Sequence, residues 1–172
     1  MKRYNLLRNL LIIIVISIIS SCNDKKVYES VDGIVADAAV SVTSINVENL
    51  KDKIDNGEMI LLIDVREPNE FNAGYIPGAV NIPRGVLEFK ISNEAFWESA
   101  MLYMPLTDEE IIVYCKKGKR SILAADVLQK LGYTNITFLE GGWKKWELTY
   151  PLMYEKNLDH NSHEDAGEVG GC

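Results

Sequence analysis

Nucleophilic chemistry in this 172-residue chain gathers at one cysteine. Cys115 is followed by Lys116, Lys117, Gly118, Lys119 and Arg120, with Ser121 just beyond. Cations crowded around a thiol favour its anionic form, and a thiolate is a strong nucleophile. The loop leaves an apolar, β-branched run at 111–114 that reads as a buried strand. It enters a helix whose apolar positions Ile122, Leu123, Val127, Leu128 and Leu131 fall at helical spacing, with Gly132 placed to stop it. A strand passing through a loop into a helix aims backbone N–H groups, and the positive end of the helix dipole, at one spot. With Cys115 at that spot, one loop can both activate a nucleophile and hold the anion its reaction creates. The bland alternative, a buried structural cysteine beside a solvated basic loop, gives the four cations no purpose.

From cysteine to arginine the pattern is C-x4-R, one residue shorter than the C-x5-R loop of cysteine-based phosphatases. A shorter loop encloses less space, better matched to one extra sulfur atom than to a tetrahedral phosphate. Two further segments stand on either side of it, IDVREPNEFNAGYIPGAVNIPRG at 63–85 and LEGGWKKW at 139–146. With the three segments in this order, the chain resembles the rhodanese family of sulfurtransferases over about residues 40–154. The resemblance implies an α/β fold, the rhodanese-like three-layer arrangement with a central, mainly parallel sheet flanked by helices. It implies Cys115 as the catalytic nucleophile, and Lys116, Lys117, Gly118, Lys119, Arg120 and Ser121 as the substrate-binding residues. It also implies that Asp64, Arg66 and Glu70 are structural, bracing the loops around the site. Tyr75 is a departure, since the family usually has histidine there. The two histidines, His160 and His163, lie in the tail, so a cysteine–histidine pair is not expected and activation falls to the loop.

The remaining elements follow from periodicity and caps. Residues 40–43 alternate and suit a first strand. Asn46 is placed as an N-cap, with Val47, Leu50 and Ile54 on one apolar helical face and Gly57 to end it. The unbroken apolar run 59–63 suits a central parallel strand, with Asp64 at its C-terminal end. Pro68 opens a short helix, and 80–82 make a short strand. Residues 86–104 suggest two short helices broken near Ser92 and Asn93, with Trp97 or Tyr103 forming an apolar wall of the substrate mouth. Residues 136–139 make the last strand, Gly141 and Gly142 a tight turn beside the site, and Trp143 and Trp146 pack the closing helix. Strands alternating with helices predict a parallel sheet whose ligands bind beyond the C-terminal strand ends, where Asp64 and Cys115 both lie.

Residues 1–21 combine a basic start with an apolar stretch too short to span a bilayer, the layout of an export signal. Ser20 and Ser21 before Cys22 look like a bacterial lipobox, implying cleavage there and lipidation of Cys22. The expected organisation is a lipoprotein signal peptide at 1–21, a linker at 22–39, the rhodanese-like domain at 40–154 and a flexible polar tail at 155–172. The expected location is the bacterial cell envelope, with a membrane contact through the N-terminal lipid. Beyond residue 21 the chain holds 15 Lys and Arg against 25 Asp and Glu. This acidic excess argues against a nucleic-acid partner and makes the basic loop a local positive spot suited to a small anion.

The expected activity moves a sulfane sulfur from an anionic donor such as thiosulfate, through a Cys115 persulfide, to a thiol or cyanide acceptor. Neither metal nor organic cofactor is called for. Other readings are a non-catalytic rhodanese-like binding module, a phosphatase or arsenate-reductase relative, and a thiol redox protein that uses Cys172 as the partner of Cys115.

Overall fold

The alternation of side chains along residues 111–115 sets the layers. In the computed structural model, which describes residues 26–157, Ile111–Tyr114 form the central strand of a five-stranded sheet and Cys115 leaves it. Ile111, Val113 and Cys115 face one apolar core, and Ile112 and Tyr114 face the other. A strand buried on both faces must be apolar throughout, which accounts for the unbroken run.

The elements of the domain run α1 (Val31–Ala38), β1 (Thr43–Ile45), α2 (Val47–Asp55), β2 (Leu61–Asp64), α3 (Pro68–Asn72) and β3 (Val80–Asn81). A 3-10 turn (Arg84–Val86) leads into α4 (Leu87–Lys90) and α5 (Glu94–Ser99), followed by β4 (Ile111–Tyr114), α6 (Lys119–Lys130), β5 (Ile136–Leu139) and α7 (Gly142–Thr149). The strand order is β1-β5-β4-β2-β3, and every pairing is parallel. Leu87, Ile91, Trp97, Ala124, Ala125 and Leu128 bring α4, α5 and α6 onto one face. On the other, α2 and α7 contribute Val47, Leu50, Trp143 and Trp146. This is the expected three-layer α/β fold, its sheet wholly parallel.

The caps explain where several elements begin. Asn46 accepts the Asn49 N–H at 2.7 Å and starts α2, and Asn93 accepts the Phe96 N–H at 3.0 Å and starts α5. The break between α4 and α5 falls at Ser92 and Asn93, as their polarity predicts.

Some local readings need correction. The stretch read as part of a linker carries α1, which buries Val35 and Ala38 and sends Asp32 to Lys119 at the start of α6. The first strand begins at Thr43, three residues later than the alternation suggests, since Val40 is exposed. The buried face of α6 is Ser121, Ala124, Ala125 and Leu128, whereas Leu131 is 48% exposed. Small alanines let this helix lie close to the sheet, which periodicity of large residues alone does not show. Tail residues 155–157 are tied back, Tyr75 and Glu155 exchanging backbone hydrogen bonds at 2.9 and 3.0 Å. The segment 1–21 read as an export signal, Cys22, His160, His163 and Cys172 lie outside the described residues.

Candidate active site

Cys115 follows the last residue of β4 and is 2% exposed. Gly118, at φ +110°, bends the chain back so that its own N–H donates to Cys115 Sγ at 3.1 Å. A side chain is strained in that conformation, so the loop needs glycine here. Ser121 lies beneath, fully buried, with Oγ donating to the Gly118 carbonyl at 2.8 Å and standing 3.7 Å from Sγ. Helix α6 starts directly after Gly118, and the first N–H groups of any α-helix have no acceptor within it. The sulfur thus meets a directed backbone donor and the positive end of a twelve-residue helix.

The four cations of the loop have different surroundings. Lys116 and Lys117 are exposed. Lys119 pairs with Asp32. Arg120 turns its fork to Glu70, donating at 2.8 and 3.1 Å to the two carboxylate oxygens. The hydrogen bonds from Arg120 hold the Glu70 carboxyl below its ordinary range, and those to Glu70 raise Arg120. Glu70 itself is fixed by the capping box of α3, where its carboxylate accepts the Glu67 N–H. The pair therefore ties the start of α6 to α3, the short helix after β2.

A second brace is buried. Arg66 donates from Nε and a terminal nitrogen to the Asp64 carboxylate at 2.5–3.0 Å, and gives another bond to the Gly74 carbonyl at 2.7 Å. Its guanidinium lies 4.8 Å from the centre of the Trp143 ring and 5.7 Å from that of Tyr114. Burial pushes the Asp64 carboxyl up, and Arg66 pulls it back part of the way. Burial also works against the Arg66 charge, but the bonds to Asp64 outweigh it and raise the group. Burial raises Tyr114 well above the ordinary phenol value, and its oxygen accepts the Ile76 N–H at 3.2 Å. Tyr75, at the usual histidine position, stacks on Phe71 with ring centres 4.0 Å apart and donates to Asn157.

The third segment closes the site from behind. Gly141 and Gly142 both have positive φ, +70° and +57°, and turn β5 into α7. The Trp143 N–H then donates to the Cys115 carbonyl at 2.8 Å and the Lys144 N–H to the Lys116 carbonyl at 3.0 Å. A Cβ on Gly142 would lie 2.1 Å from the Cys115 oxygen, so glycine is required by contact as well as by conformation. The double glycine marks a tight turn in the sequence, but not the carbonyl it approaches.

The proposed aromatic wall is not at this site. Trp97 is 1% exposed in the core and donates Nε1–H to the Ile91 carbonyl at 2.8 Å. Tyr103 lines a cleft with Glu58, Ile60 and Glu110, at the start of β2 and β4 and so at the opposite end of the sheet from Cys115.

The rhodanese-like domain model matches residues 46–149. "Putative thiosulfate sulfurtransferase, mitochondrial" of Schizosaccharomyces pombe is 40% identical over 102 residues, spanning 58% of this chain and 72% of that one. A human single-domain sulfurtransferase structure superposes with a TM-score of 0.57 at 31% identity, covering 62% of this chain and 96% of that chain. A Rhodopseudomonas palustris structure, described as a protein of unknown function and possible tyrosine phosphatase, gives a TM-score of 0.61 at 26% identity over 73% of this chain and 94% of its own. The parallel sheet and the strand-end cysteine loop define a rhodanese-type sulfurtransferase domain. The chain belongs to the rhodanese-like domain family.

Proposed function

We propose that the protein transfers a sulfane sulfur from thiosulfate or a similar anionic donor to a thiol through a persulfide on Cys115. The observation that carries this is the Gly118 N–H, 3.1 Å from Cys115 Sγ at the end of β4. In the first step the Cys115 thiolate attacks the outer sulfur of thiosulfate. A sulfur–sulfur bond forms to Cys115, the one to the sulfonate breaks, and its electron pair leaves with sulfite. The persulfide carries one negative charge, which the loop N–H and the helix end stabilise. In the second step an acceptor thiolate attacks the outer sulfur and frees Cys115 as thiolate. Cyanide does the same and leaves as thiocyanate. Two half-reactions through a covalent enzyme intermediate give ping-pong kinetics.

Lys116 and Lys117 would draw in and orient the anionic donor. Arg120 acts through the loop it anchors, since its fork is turned to Glu70. That engagement also counts against the phosphatase reading, which needs a guanidinium fork free for a tetrahedral oxyanion. The test is intact-mass spectrometry with peptide mapping before and after thiosulfate. The expected result is one added sulfur on the Cys115 peptide, removed by cyanide and absent from Cys115→Ser. Aryl phosphate hydrolysis with no sulfur loading would overturn the reading in favour of the phosphatase.

The lipobox pattern at residues 20–22 supports anchorage at the cell envelope through a lipidated Cys22. Membrane fractionation of wild type and Cys22→Ala tests this, and equal release of both into the soluble fraction would end it.

A further inference from the structure

On an acidic chain most cations find an internal partner. Among the described residues Lys51, Lys53, Arg66, Arg84, Lys119, Arg120, Lys130 and Lys144 each pair with a carboxylate. Lys26, Lys90 and Lys156 lie over aromatic rings. Lys116, Lys117 and Lys145 remain, all exposed and, among the described residues, with neither kind of partner. Lys145 is distant from the other two in sequence, but its helix begins against their loop. The Lys144 N–H bonds the Lys116 carbonyl, which seats the first turn of α7 against the cysteine loop. Lys145 is the next residue, one turn on from Gly142, the position that faces the Cys115 carbonyl. Its Cβ and Cδ lie near Gly141, so its stem runs back toward the strand-end rim, as helix geometry directs.

We infer that Lys145 is a specificity-determining residue which, with Lys116 and Lys117, selects acceptors that carry carboxylates beside their thiol. The loop lysines serve a donor reaching Cys115. Lys145 stands farther along the rim, where the body of a larger acceptor would extend while its sulfur meets the persulfide. Three unneutralised ammonium groups favour an anionic body over a neutral one, by attraction that salt screens. A small polycarboxylate thiol suits a patch of this size, because a protein partner would need a contact area of about 800 Å² on each side.

This inference rests on the persulfide reading, and the experiment separates the two. The enzyme is loaded with thiosulfate, and loading is confirmed by mass. Sulfur transfer is then followed to mercaptosuccinate, which is dianionic, and to 2-mercaptoethanol, which is neutral. The ratio of their kcat/KM values is compared for wild type, Lys145→Ala and Lys145→Glu. The expected loss in the ratio is about two- to fivefold for Lys145→Ala, the worth of an exposed charge pair, and more for Lys145→Glu. The loss should lie in KM and should shrink at high salt. A fully loaded enzyme whose ratio is the same in all three proteins would overturn the role of Lys145. An enzyme that never loads would overturn the persulfide reading instead.

Discussion

At the scale of single residues, Cys115, the proposed nucleophile, is surrounded by groups to which the proposed reaction gives no covalent part. Glu70 shows this through its pH response. Arg120 holds the carboxyl of Glu70 below its ordinary range. The stabilisation from the pair is therefore complete above the unfolded carboxylate value of about 4.3 and is lost as pH falls through the lower folded value. Thermal melts from about pH 5 down to pH 3 should show wild type losing stability faster than Glu70→Gln. Parallel curves would mean that the pair contributes nothing. The buried brace should be less forgiving. Arg66→Met leaves Asp64 buried without its countercharge, and a cost of about 3–5 kcal/mol is expected in denaturant unfolding. A loss under ~1 kcal/mol would show that Asp64 takes up a proton at little cost or finds another donor.

At the scale of elements, the turn into α7 fixes the geometry of the cysteine loop. Gly142→Ala must relieve both a 2.1 Å approach to the Cys115 oxygen and a positive φ. Unfolding stability should fall by at least ~2 kcal/mol, with sulfur loading slowed beyond what the stability loss explains. Near-normal loading would mean that the loop holds its shape without this contact. The same region shows what a sequence can and cannot disclose. The apolar run 111–114, the glycines at 141 and 142 and the cap at Asn46 are local signals, and each lies where chain chemistry alone requires it. The tie between Glu70 and Arg120 spans fifty positions, and a charge at either end says nothing of the other. Trp97 looks like a surface for ligands by its size, but the Ile91 carbonyl satisfies its one polar atom inside the core. Helix α1 was obscured by its mixture of Asp, Ala and Gly, and its two buried residues become visible only against α6.

At the scale of the whole molecule, net charge and local charge oppose each other. The chain carries −7, yet the rim around Cys115 presents Lys116, Lys117 and Lys145. If the rim governs encounter, the second-order rate of sulfur loading by thiosulfate should fall as salt rises from about 0.01 to 0.2 M, because the screening length shrinks from about 30 Å to under 10 Å. A rate that rises with salt would mean that the acidic body repels the donor and the rim does not overcome it. Stopped-flow loading across this salt series distinguishes the two by sign.

The order of strands has a consequence for synthesis. Thr43 in β1 pairs with Thr137 in β5, and the carbonyl of Cys115 waits for the amide of Trp143. On a ribosome, a chain that has just released Cys115 from the exit tunnel still holds inside it both the last strand and the turn that abuts Cys115. Cys115 is thus translated before the contacts that hold its loop can form, and during that interval it sits on an unfinished chain.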